Sequence, residues 1–560
     1  YKILMYNLLI GGAAGQGIDT TVSILEKLLK CSGYNVFTTR DFMSRVRGGH
    51  NFSLIRFGIK SIYSHSNRLD GIVALDEETI QLHKEQLEDS GFILCDTKLS
   101  GLDSRLIRIQ MDAMAKGLGN PQVSGSIAVG AVLKLFGESL DNVRTVLQIF
   151  IKQQYLDVNV KAVEEGYAST ETHFSHLNGM YCDQMLISGS KAVAIGAICA
   201  GLRFYSAYPM SPSTVIMETL ASKADEAGIV VEQAEDEIAA INMALGASYG
   251  GARAMTGTSG GGFSLMVEAL GLSGMAEIPL VVIDVQRPGP VTGLPTRTEQ
   301  SDLKFVISAS QGEFPRMVIA LRNAYDAFYQ TMRAFNLAEK YQIPVILLSD
   351  QYLGDTTFTV NPFNPEKIQM ISPKLEYTEN TEYLRYQYSE NGISPRLVPG
   401  KTKQLVAVDS DEHDERGWIT ESAEIRTKMM DKRMKKLEGL KQELQEPTFI
   451  GTNDFETLLI GWGSTWGPIK EAVNLLNGDN NPHYAALVFG DVYPLPLKQF
   501  KEKAAKAYRI IDIEQNATGQ LADLIREETG ILCENRILKY DGRQISGEEI
   551  VEQIRKGTVK

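Results

Sequence analysis

The sequence predicts an α/β protein with three α/β domains and a long linker. Its 560 residues exceed the roughly 250 to 300 that a single hydrophobic core usually holds, so several domains are expected. Short apolar runs bounded by turns alternate with helical stretches, a pattern typical of mostly parallel sheets covered by helices on both faces. We place the domains at residues 1–183, 184–355 and 451–560, and the linker at 356–450.

The first domain begins with a strand at residues 8–10, which enters the glycine-rich loop 11–17. A helix is predicted from this loop to about Cys31. Further short strands are predicted at residues 35–37, 52–56, 71–75 and 91–95, each bounded by turn residues. Residues 173–183 show no periodicity and are predicted to join two domains.

The later segments differ in character from the first. The second domain begins near Met185, and its last strand is predicted at residues 343–349. The linker carries scattered prolines, clusters of charge and an amphipathic stretch at 421–446, which we interpret as a solvated helix and its approach. The last domain opens with an apolar strand at 456–461.

Composition excludes several classes of protein. The formal net charge of −13 argues against a nucleic-acid binder, which would present a basic face. Five scattered cysteines without a C-x-x-C pair argue against a disulfide framework or a self-contained iron–sulfur cluster, and favour buried thiols in a reducing compartment. The apolar start lacks a charged leader, and no apolar run approaches the roughly 20 residues of a membrane span. We therefore expect a cytoplasmic protein without a membrane or nucleic-acid partner.

The loop at residues 11–17 is a candidate phosphate site. It lies between a strand and a helix, where free backbone amides and the helix dipole attract anions. The candidate residues are Gly11, Gly12, Gly15 and Gly17. The spacing is not G-x-G-x-x-G, and a tight strand–helix connection explains the glycines equally well. Arg45 and Arg47, beside two further glycines, are additional candidates, with a solvated basic loop as the alternative.

The segment 208–214 is a candidate substrate-binding loop. Pro209 and Pro212 fix the backbone on either side of Ser211, so its hydroxyl can donate to a substrate carboxylate without losing much rotamer freedom. Tyr208 precedes this loop and is a further candidate. The alternative is a proline-rich loop in which Ser211 or Ser213 caps the following helix.

An acidic cluster opens the helix predicted at residues 238–249. Glu237 is the candidate catalytic acid of this cluster. The alternative is an acid that only complements the helix dipole, a task that Glu235 and Asp236 could perform equally well.

Two further segments carry candidate contacts. The glycine-rich run 256–266 allows a ligand to approach the backbone, with Thr258 and Ser259 as candidate cofactor contacts. Arg287 stands just past the carboxyl end of a strand, where α/β sheets bind ligands, and could clamp a substrate carboxylate. Arg297 in the same loop ranks second. The alternative for either arginine is an ion pair on a subunit surface.

Segments 208–214 and 235–246 together resemble the pyrimidine-binding half of a thiamine diphosphate enzyme in the 2-oxoacid:ferredoxin oxidoreductase family. The resemblance implies that Glu237 hydrogen-bonds the aminopyrimidine ring and favours the imino tautomer that removes the thiazolium proton. Glu237 is preferred to Glu235 because its distance to Gly246 matches the family. The chain departs from the family at Ser211, where threonine is usual, and at Gly261, where proline is frequent.

The remaining segments extend this resemblance over nearly the whole chain. Residues 11–17 and 40–50 look like the gamma domain, which the family associates with coenzyme A. Residues 409–420 and 428–436 look like the linker of the members that use 2-oxoglutarate or several 2-oxoacids. Residues 460–465 and 514–522 look like a transketolase C-terminal-type domain.

Two features of such enzymes are missing from the sequence. There is no G-D-G run to bind a metal and the diphosphate, and no cysteine cluster. The resemblance implies that a separate beta subunit holds Mg, the diphosphate and a [4Fe-4S] cluster. No metal ligand is therefore predicted in this chain.

The resemblance implies a fused gamma–alpha subunit of a 2-oxoacid:ferredoxin oxidoreductase. Such an enzyme decarboxylates a 2-oxoacid, passes two electrons through iron–sulfur clusters to ferredoxin and transfers the acyl group to coenzyme A. The linker favours 2-oxoglutarate, with pyruvate and branched-chain 2-oxoacids as alternatives. A non-oxidative transketolase-type catalyst and a non-catalytic nucleotide-binding scaffold subunit are further alternatives. The absent G-D-G run argues against a transketolase-type catalyst. A scaffold subunit would leave Glu237 and Arg287 without a function, which argues against that alternative.

Overall fold

The computed structural model describes residues 4–43, 49–372, 382–478 and 483–557. The strands in chain order are β1 Met5–Ala13, β2 Asn35–Asp41, β3 His50–Gly58, β4 Leu69–Ala74, β5 Leu87–Asp96, β6 Leu106–Ile109, β7 Met185–Ser188, β8 Phe204–Ala207, β9 Val230–Gln233, β10 Ala254–Thr258, β11 Leu280–Gln286, β12 Met317–Ala320, β13 Pro344–Asp350, β14 Thr357–Val360, β15 Thr448–Ile450, β16 Thr457–Trp462, β17 Tyr484–Phe489, β18 Asp491–Tyr493, β19 Arg509–Glu514 and β20 Asn535–Leu538.

The helices confirm the predicted alternation with strands. In chain order they are α1 Ile18–Cys31, α2 Glu77–His83, α3 Met111–Gly117, α4 Ser124–Leu135, α5 Val143–Phe150, α6 Leu156–Ala168, α7 Gly189–Cys199, α8 Thr214–Ser222, α9 Ala224–Ala227, α10 Glu237–Tyr249, α11 Gly260–Ala276, α12 Leu303–Ser308, α13 Ala324–Tyr341, α14 Gln351–Asp355, α15 Ala423–Lys441, α16 Trp466–Leu476, α17 Lys498–Ala504, α18 Gln520–Thr529 and α19 Gly547–Lys556.

The first of two compact units comprises residues 1–187 and 355–362. Its sheet has the strand order β6-β5-β4-β1-β3-β2-β14-β7. Strands β1, β4, β5 and β6 are parallel, as predicted, but β3 is antiparallel to both β1 and β2. The expectation of a mostly parallel sheet is therefore wrong for this half of the sheet. The connection from β2 to β3 is too short for the crossover that parallel pairing requires.

Strand β14 is a late addition to the first sheet. It pairs antiparallel with β2, where Thr357 lies opposite Thr38 and Phe358 opposite Phe37. The Thr359 hydroxyl completes this contact by accepting from the Val36 backbone N–H at 2.7 Å. The chain thus leaves the first unit after β7 and returns to it for one strand.

The second unit comprises residues 188–354 and 363–560 and contains two sheets. The larger sheet has the order β18-β12-β13-β11-β10-β8-β9, and its strands from β12 to β9 are parallel. The smaller has the order β15-β17-β16-β19-β20. Strands β11 and β13 are buried along their full length, as expected for the centre of a parallel sheet that helices cover on both faces.

The linker helix α15 is less solvated than predicted. Met429, Lys432, Arg433 and Lys436 are all buried on one of its faces. The Lys432 ammonium lies 2.6 Å from one carboxylate oxygen of Glu277, and Lys436 contacts the other. The interpretation as a solvated helix is wrong for this face because a buried acid 155 residues earlier in the chain pairs with it.

The composition also predicted buried thiols without disulfide bonds, and no membrane-spanning segment. All five cysteines are free, with Cys95 and Cys533 buried. Cys182 is exposed, so the expectation of buried thiols is wrong there. Among the described residues, no helix combines the length and apolar character needed to cross a bilayer, and no three His, Cys, Asp or Glu side chains are grouped to hold a metal.

Candidate functional site

Four neighbouring parallel strands deliver the candidate residues to one edge of the larger sheet. Tyr208 follows β8, Glu237 follows the loop after β9, Ser259 follows β10 and Arg287 follows β11. These strands are adjacent in the order β11-β10-β8-β9. The carboxyl ends of parallel strands share an edge, and ligands of α/β sheets bind there. The sequence-predicted residues from four separate segments therefore meet at one site.

Glu237 is buried at the start of α10, whereas the acids before it are exposed. Asp236 is the N-cap residue, and its Oδ1 accepts a hydrogen bond from the Ala239 N–H at 2.7 Å. Glu237 is only 3% exposed, and its Oε1 has no hydrogen-bond partner among the described residues. Asp236 thus caps the helix, and both exposed acids, Glu235 and Asp236, stand at the helix end where the alternative needed an acid to complement the dipole.

Gly262 forms the wall opposite the Glu237 carboxylate. A Cβ at this position would lie 2.5 Å from Glu237 Oε1 and closer still to Thr258 Oγ1. Only glycine therefore leaves both side chains in place. Sequence reasoning noted the glycines of this run but did not assign Gly262 a role. The sequence signal that could have identified Gly262 is the run of three glycines at residues 260–262, which follows a predicted strand.

Gly262→Ala is expected to displace Glu237 and Thr258 and to lower kcat by roughly 100-fold, since ångström-scale misplacement of a reacting group has effects of this size. Gly117→Ala is the control, because a Cβ at that helical position meets no atom within 4 Å. Steady-state turnover and a thermal melt of both variants test the expectation. Unchanged kcat in a folded Gly262→Ala protein would contradict the close fit.

Arg287 and Ser211 are brought together as predicted. The Arg287 Nη1 donates to the Ser211 carbonyl oxygen at 2.7 Å. Arg287 is 9% exposed, its Nε is unpartnered, and no carboxylate pairs with it in the described ranges. Burial lowers the pKa of this guanidinium. The alternative of a surface ion pair does not hold within this chain, and a buried cation without an anion favours an anionic ligand.

Ser211 itself is exposed, and it does not cap α8. The N-cap of that helix is Ser213, whose hydroxyl donates to the Met210 carbonyl oxygen at 2.7 Å instead of capping the helix. The alternative is therefore confirmed for the position of Ser213, although its side chain makes no capping bond, and it is wrong for Ser211, whose hydroxyl remains available to a ligand. Its role in binding a substrate stays a prediction.

Buried polar atoms without partners cluster at this edge. They include Glu237 Oε1, Ser259 Oγ and Arg287 Nε. Buried polar atoms in folded proteins nearly always have a hydrogen-bond partner, so a group of exceptions requires an explanation. An acceptor, a hydroxyl and a cationic donor at one edge fit a ligand that combines a nitrogen heterocycle with an anion.

The two other candidates of this region are more peripheral. Tyr208 is 40% exposed on the loop after β8. Arg297 lies against the last domain, where a Cβ on Gly542 would be 3.2 Å from the Arg297 Cβ. The substrate-binding roles of both residues stay predictions.

A cavity of about 460 Å³ lies in the first unit. It opens at the carboxyl ends of β1, β4 and β5 and is lined by Gly15, Gly17 and Thr20 among others. Strands β1 and β4 are neighbours in the sheet. From β1 the chain continues to β2, toward one edge of the strand order, and from β4 it continues to β5, toward the other edge. This reversal between adjacent parallel strands is the position at which α/β sheets bind nucleotides and related ligands.

The predicted glycine loop is shorter than expected. Gly11 and Gly12 belong to β1, where they pair with Phe52 and Asn51 of β3. A Cβ on Gly12 would clash with Gln16, so packing explains that glycine. Gly15 and Gly17 have φ of 94° and 74° and line the cavity. The candidates Arg45 and Arg47 lie outside the described residues.

Comparison with known proteins gives consistent matches. The family description "Pyruvate flavodoxin/ferredoxin oxidoreductase, thiamine diP-bdg" matches residues 195–432, and "Pyruvate ferredoxin/flavodoxin oxidoreductase" matches residues 7–169. A Sulfolobus protein named 2-oxoacid:ferredoxin oxidoreductase subunit alpha is 33% identical, with 97% of this chain and 96% of that protein covered. The 2-oxoglutarate synthase subunit KorA of Methanothermobacter marburgensis is 30% identical, covering 66% of this chain and 98% of that protein.

A solved structure matches the chain over almost its full length. It is the 2-oxoglutarate:ferredoxin oxidoreductase from Magnetococcus marinus with 2-oxoglutarate, coenzyme A and succinyl-CoA bound. The TM-score is 0.92 at 30% sequence identity, and the match covers 99% of this chain and 100% of that chain.

Proposed function

Because this chain belongs to the alpha subunits of the 2-oxoacid:ferredoxin oxidoreductases, an enzyme family, we propose that Glu237 activates thiamine diphosphate for the oxidation of a 2-oxoacid. The observation that carries this proposal is the buried Glu237 carboxylate, whose Oε1 has no partner among the described residues and lies against the backbone of Gly262. Such an oxygen suits the N–H of an aminopyrimidine ring.

The residues at this edge divide the remaining tasks. When bound, thiamine diphosphate supplies a carbon nucleophile and an electron sink, which side chains lack. Glu237 accepts a hydrogen bond at Oε1 and so fixes where the ring nitrogen can hold a proton. Thr258 and Ser259 border the same space at the N-terminus of α11.

Arg287 and Ser211 bind the carboxylate of the 2-oxoacid in this proposal. The unpartnered Nε of Arg287 and the exposed Ser211 hydroxyl can donate to one carboxylate together, and the existing Arg287–Ser211 contact fixes their spacing. We favour 2-oxoglutarate, which is bound in the Magnetococcus marinus structure. Its second carboxylate requires another cation, and Arg297 on the same loop is the candidate from this chain.

The cavity of the first unit is proposed to bind coenzyme A. Its volume of about 460 Å³ and its position at the N-terminus of α1 suit a ligand with phosphate groups. Gly15 and Gly17 line its entrance with positive φ, a conformation that favours glycine.

The chain is one subunit of a multisubunit enzyme, and we propose a beta subunit as its partner. That subunit would hold Mg, the diphosphate and a [4Fe-4S] cluster and would pass electrons to ferredoxin. The absence of a G-D-G run from the sequence supports this division of the cofactor between two chains.

Co-purification and a dye assay test the proposed function. The chain is purified with whatever protein binds it, and coenzyme A-dependent reduction of a viologen is measured with 2-oxoglutarate, pyruvate and 2-oxoisovalerate. We expect reduction that requires thiamine diphosphate and an iron–sulfur partner and is fastest with 2-oxoglutarate. Preference for another acid would correct the substrate, and no reduction with any of the three would overturn the proposal.

Arg287→Lys is expected to raise the KM for the 2-oxoacid at least tenfold, a loss of about 1.4 kcal/mol, because an ammonium cannot form two parallel hydrogen bonds to a carboxylate. The KM for coenzyme A should not change. The matched control is Arg144→Lys, where an exposed arginine pairs with Asp157. Equal 2-oxoacid KM values for the two variants would remove Arg287 from the substrate site.

Thr20→Tyr is expected to fill part of the first-unit cavity and to raise the KM for coenzyme A about tenfold, while the 2-oxoacid KM is unchanged. Thr145→Tyr places the same side chain on an exposed helical position that does not line the cavity. Steady-state kinetics with varied coenzyme A distinguish the two. If both variants behave alike, coenzyme A binds elsewhere.

A further inference from the structure

Two carboxyl groups at the same sheet edge have no role in the function proposed above. Asp284 lies on β11, directly beside Thr258 in the register of β10 and β11. It is fully buried, and neither of its oxygens receives a hydrogen bond from a donor in the described part of the chain. Asp302 immediately precedes α12, and its Oδ2 is likewise buried and unpartnered.

The two side chains contact each other at the N-terminus of α11. The two carboxyl groups lie within hydrogen-bonding reach of each other. The Asp302 carboxyl covers Gly260, the first residue of α11, since a Cβ on Gly260 would lie 2.9 Å from Asp302 Oδ1. The first turn of α11 thus links the pair to the site, because Gly262 in the same turn lies against Glu237.

The position of Asp302 is fixed from two directions. Its backbone N–H donates to the Gln286 side chain at 3.1 Å, which ties it to β11. The residues before it are held by the last domain, where the Gln300 carbonyl oxygen accepts from Asn516 Nδ2 at 3.0 Å and the Ser301 carbonyl oxygen accepts from Gln520 Nε2 at 2.7 Å. The carboxyl contact is therefore enforced by the fold.

A carboxylate can only accept hydrogen bonds, so a contact between two carboxyls requires a proton. Burial raises the pKa of Asp284 well above its ordinary value, and the nearby Asp302 carboxylate raises it further. Burial also raises the pKa of Asp302, to about 6, while the hydrogen bond with Asp284 opposes this change. The contact therefore requires one proton, and the directions of these pKa changes assign it to Asp284 and the charge to Asp302.

We propose that Asp284 and Asp302 share one proton and act as a positioning pair that holds the N-terminal turn of α11 against Glu237. The negative charge of Asp302 complements the free N–H groups at this helix end, which Ser259 does not cap with its side chain. The neutral Asp284 holds that charge in place by donating to it. This inference rests on the proposed role of Glu237.

The first test observes the proton itself, in the isolated chain without cofactor. Infrared spectra of protein labelled with ¹³C-carboxyl aspartate should contain the C=O band of a protonated, buried carboxyl at neutral pH, and Asp284→Asn should remove it. Asp512 is another buried aspartate with a raised pKa, beside Glu514, so Asp512→Asn is the matched control and should leave the Asp284 band. Absence of a band that Asp284→Asn removes would overturn the shared proton.

The second test separates positioning from mere structure, using the complex with its partner subunit. Asp284→Asn keeps a donor to Asp302 and should retain kcat, whereas Asp284→Leu and Asp302→Asn should lower kcat about 10- to 100-fold with unchanged KM for the 2-oxoacid. Equal kcat in Asp302→Asn and the wild type would overturn the positioning role, as would equal losses in Asp284→Asn and Asp284→Leu. A Glu237→Gln variant with full turnover would instead reject the proposed function, whatever the infrared result.

Discussion

Glu237→Gln is expected to lower kcat by about 10²- to 10⁴-fold, the range typical of general acid–base groups. The glutamine fills the same space beside Gly262 and Thr258, so the local fold is retained, but it lacks the negative charge that the carboxylate contributes. Thiamine diphosphate binding, measured by calorimetry on the assembled enzyme, and the KM values should change far less than kcat.

The control for this prediction is two residues away. Glu235 is exposed, so Glu235→Gln makes the same change of charge without touching the site. We expect wild-type turnover from it. Full activity in Glu237→Gln would be the behaviour of a non-catalytic scaffold subunit, and would revive that alternative.

Glu277→Gln is expected to destabilise the second unit by about 3–5 kcal/mol, the usual cost of removing one partner from a buried ion pair. Glu277 is fully buried at the end of α11, and its carboxylate contacts Lys432 and Lys436 of the linker helix α15. Burial opposes its ionisation, but the two ammonium groups prevail and lower the pKa of Glu277. Without the acid, both lysines are buried cations without an anion.

Urea denaturation of the isolated chain measures this effect. Glu424→Gln is the matched control, because Glu424 pairs with Lys428 on the exposed face of the same helix, where water screens the pair and it contributes little to stability. Replacing Glu277, Lys432 and Lys436 together by methionine should recover much of the loss, since it removes the unpaired charges. Equal unfolding midpoints for Glu277→Gln and Glu424→Gln would show that the buried cluster does not hold the linker.

The sequence predicted the elements of the site better than their surroundings. Residues 238–249 form the predicted helix, and Arg287 lies just past the strand that the apolar run 280–285 indicates. Such boundaries depend on local patterns, which a single sequence contains. The choice of Glu237 over Glu235 as the candidate catalytic acid followed from the resemblance and not from helix patterns, because either acid can complement the start of a helix.

Features that depend on distant partners could not be predicted. The pairing of Lys432 and Lys436 with Glu277 turns an apparently solvated helix into a buried one, and no local pattern records a contact across 155 residues. Asp284 gave a weak signal that was missed, since an acid inside the apolar run 280–285 must find a partner when the strand is buried. Its partner Asp302 follows a polar segment that gives no sign of burial. Only the folded chain brings its carboxyl group beside Asp284.

The strand that returns at residues 355–362 determines how the chain could be divided into separately produced pieces. A fragment of residues 1–187 would lack the neighbour of β2 and would expose a row of unpaired main-chain groups on that edge. Open edges of this kind recruit strands from other molecules, so we expect the fragment to aggregate. The same fragment with residues 355–362 grafted after residue 187, or supplied as a peptide, would regain its missing neighbour and stay monomeric.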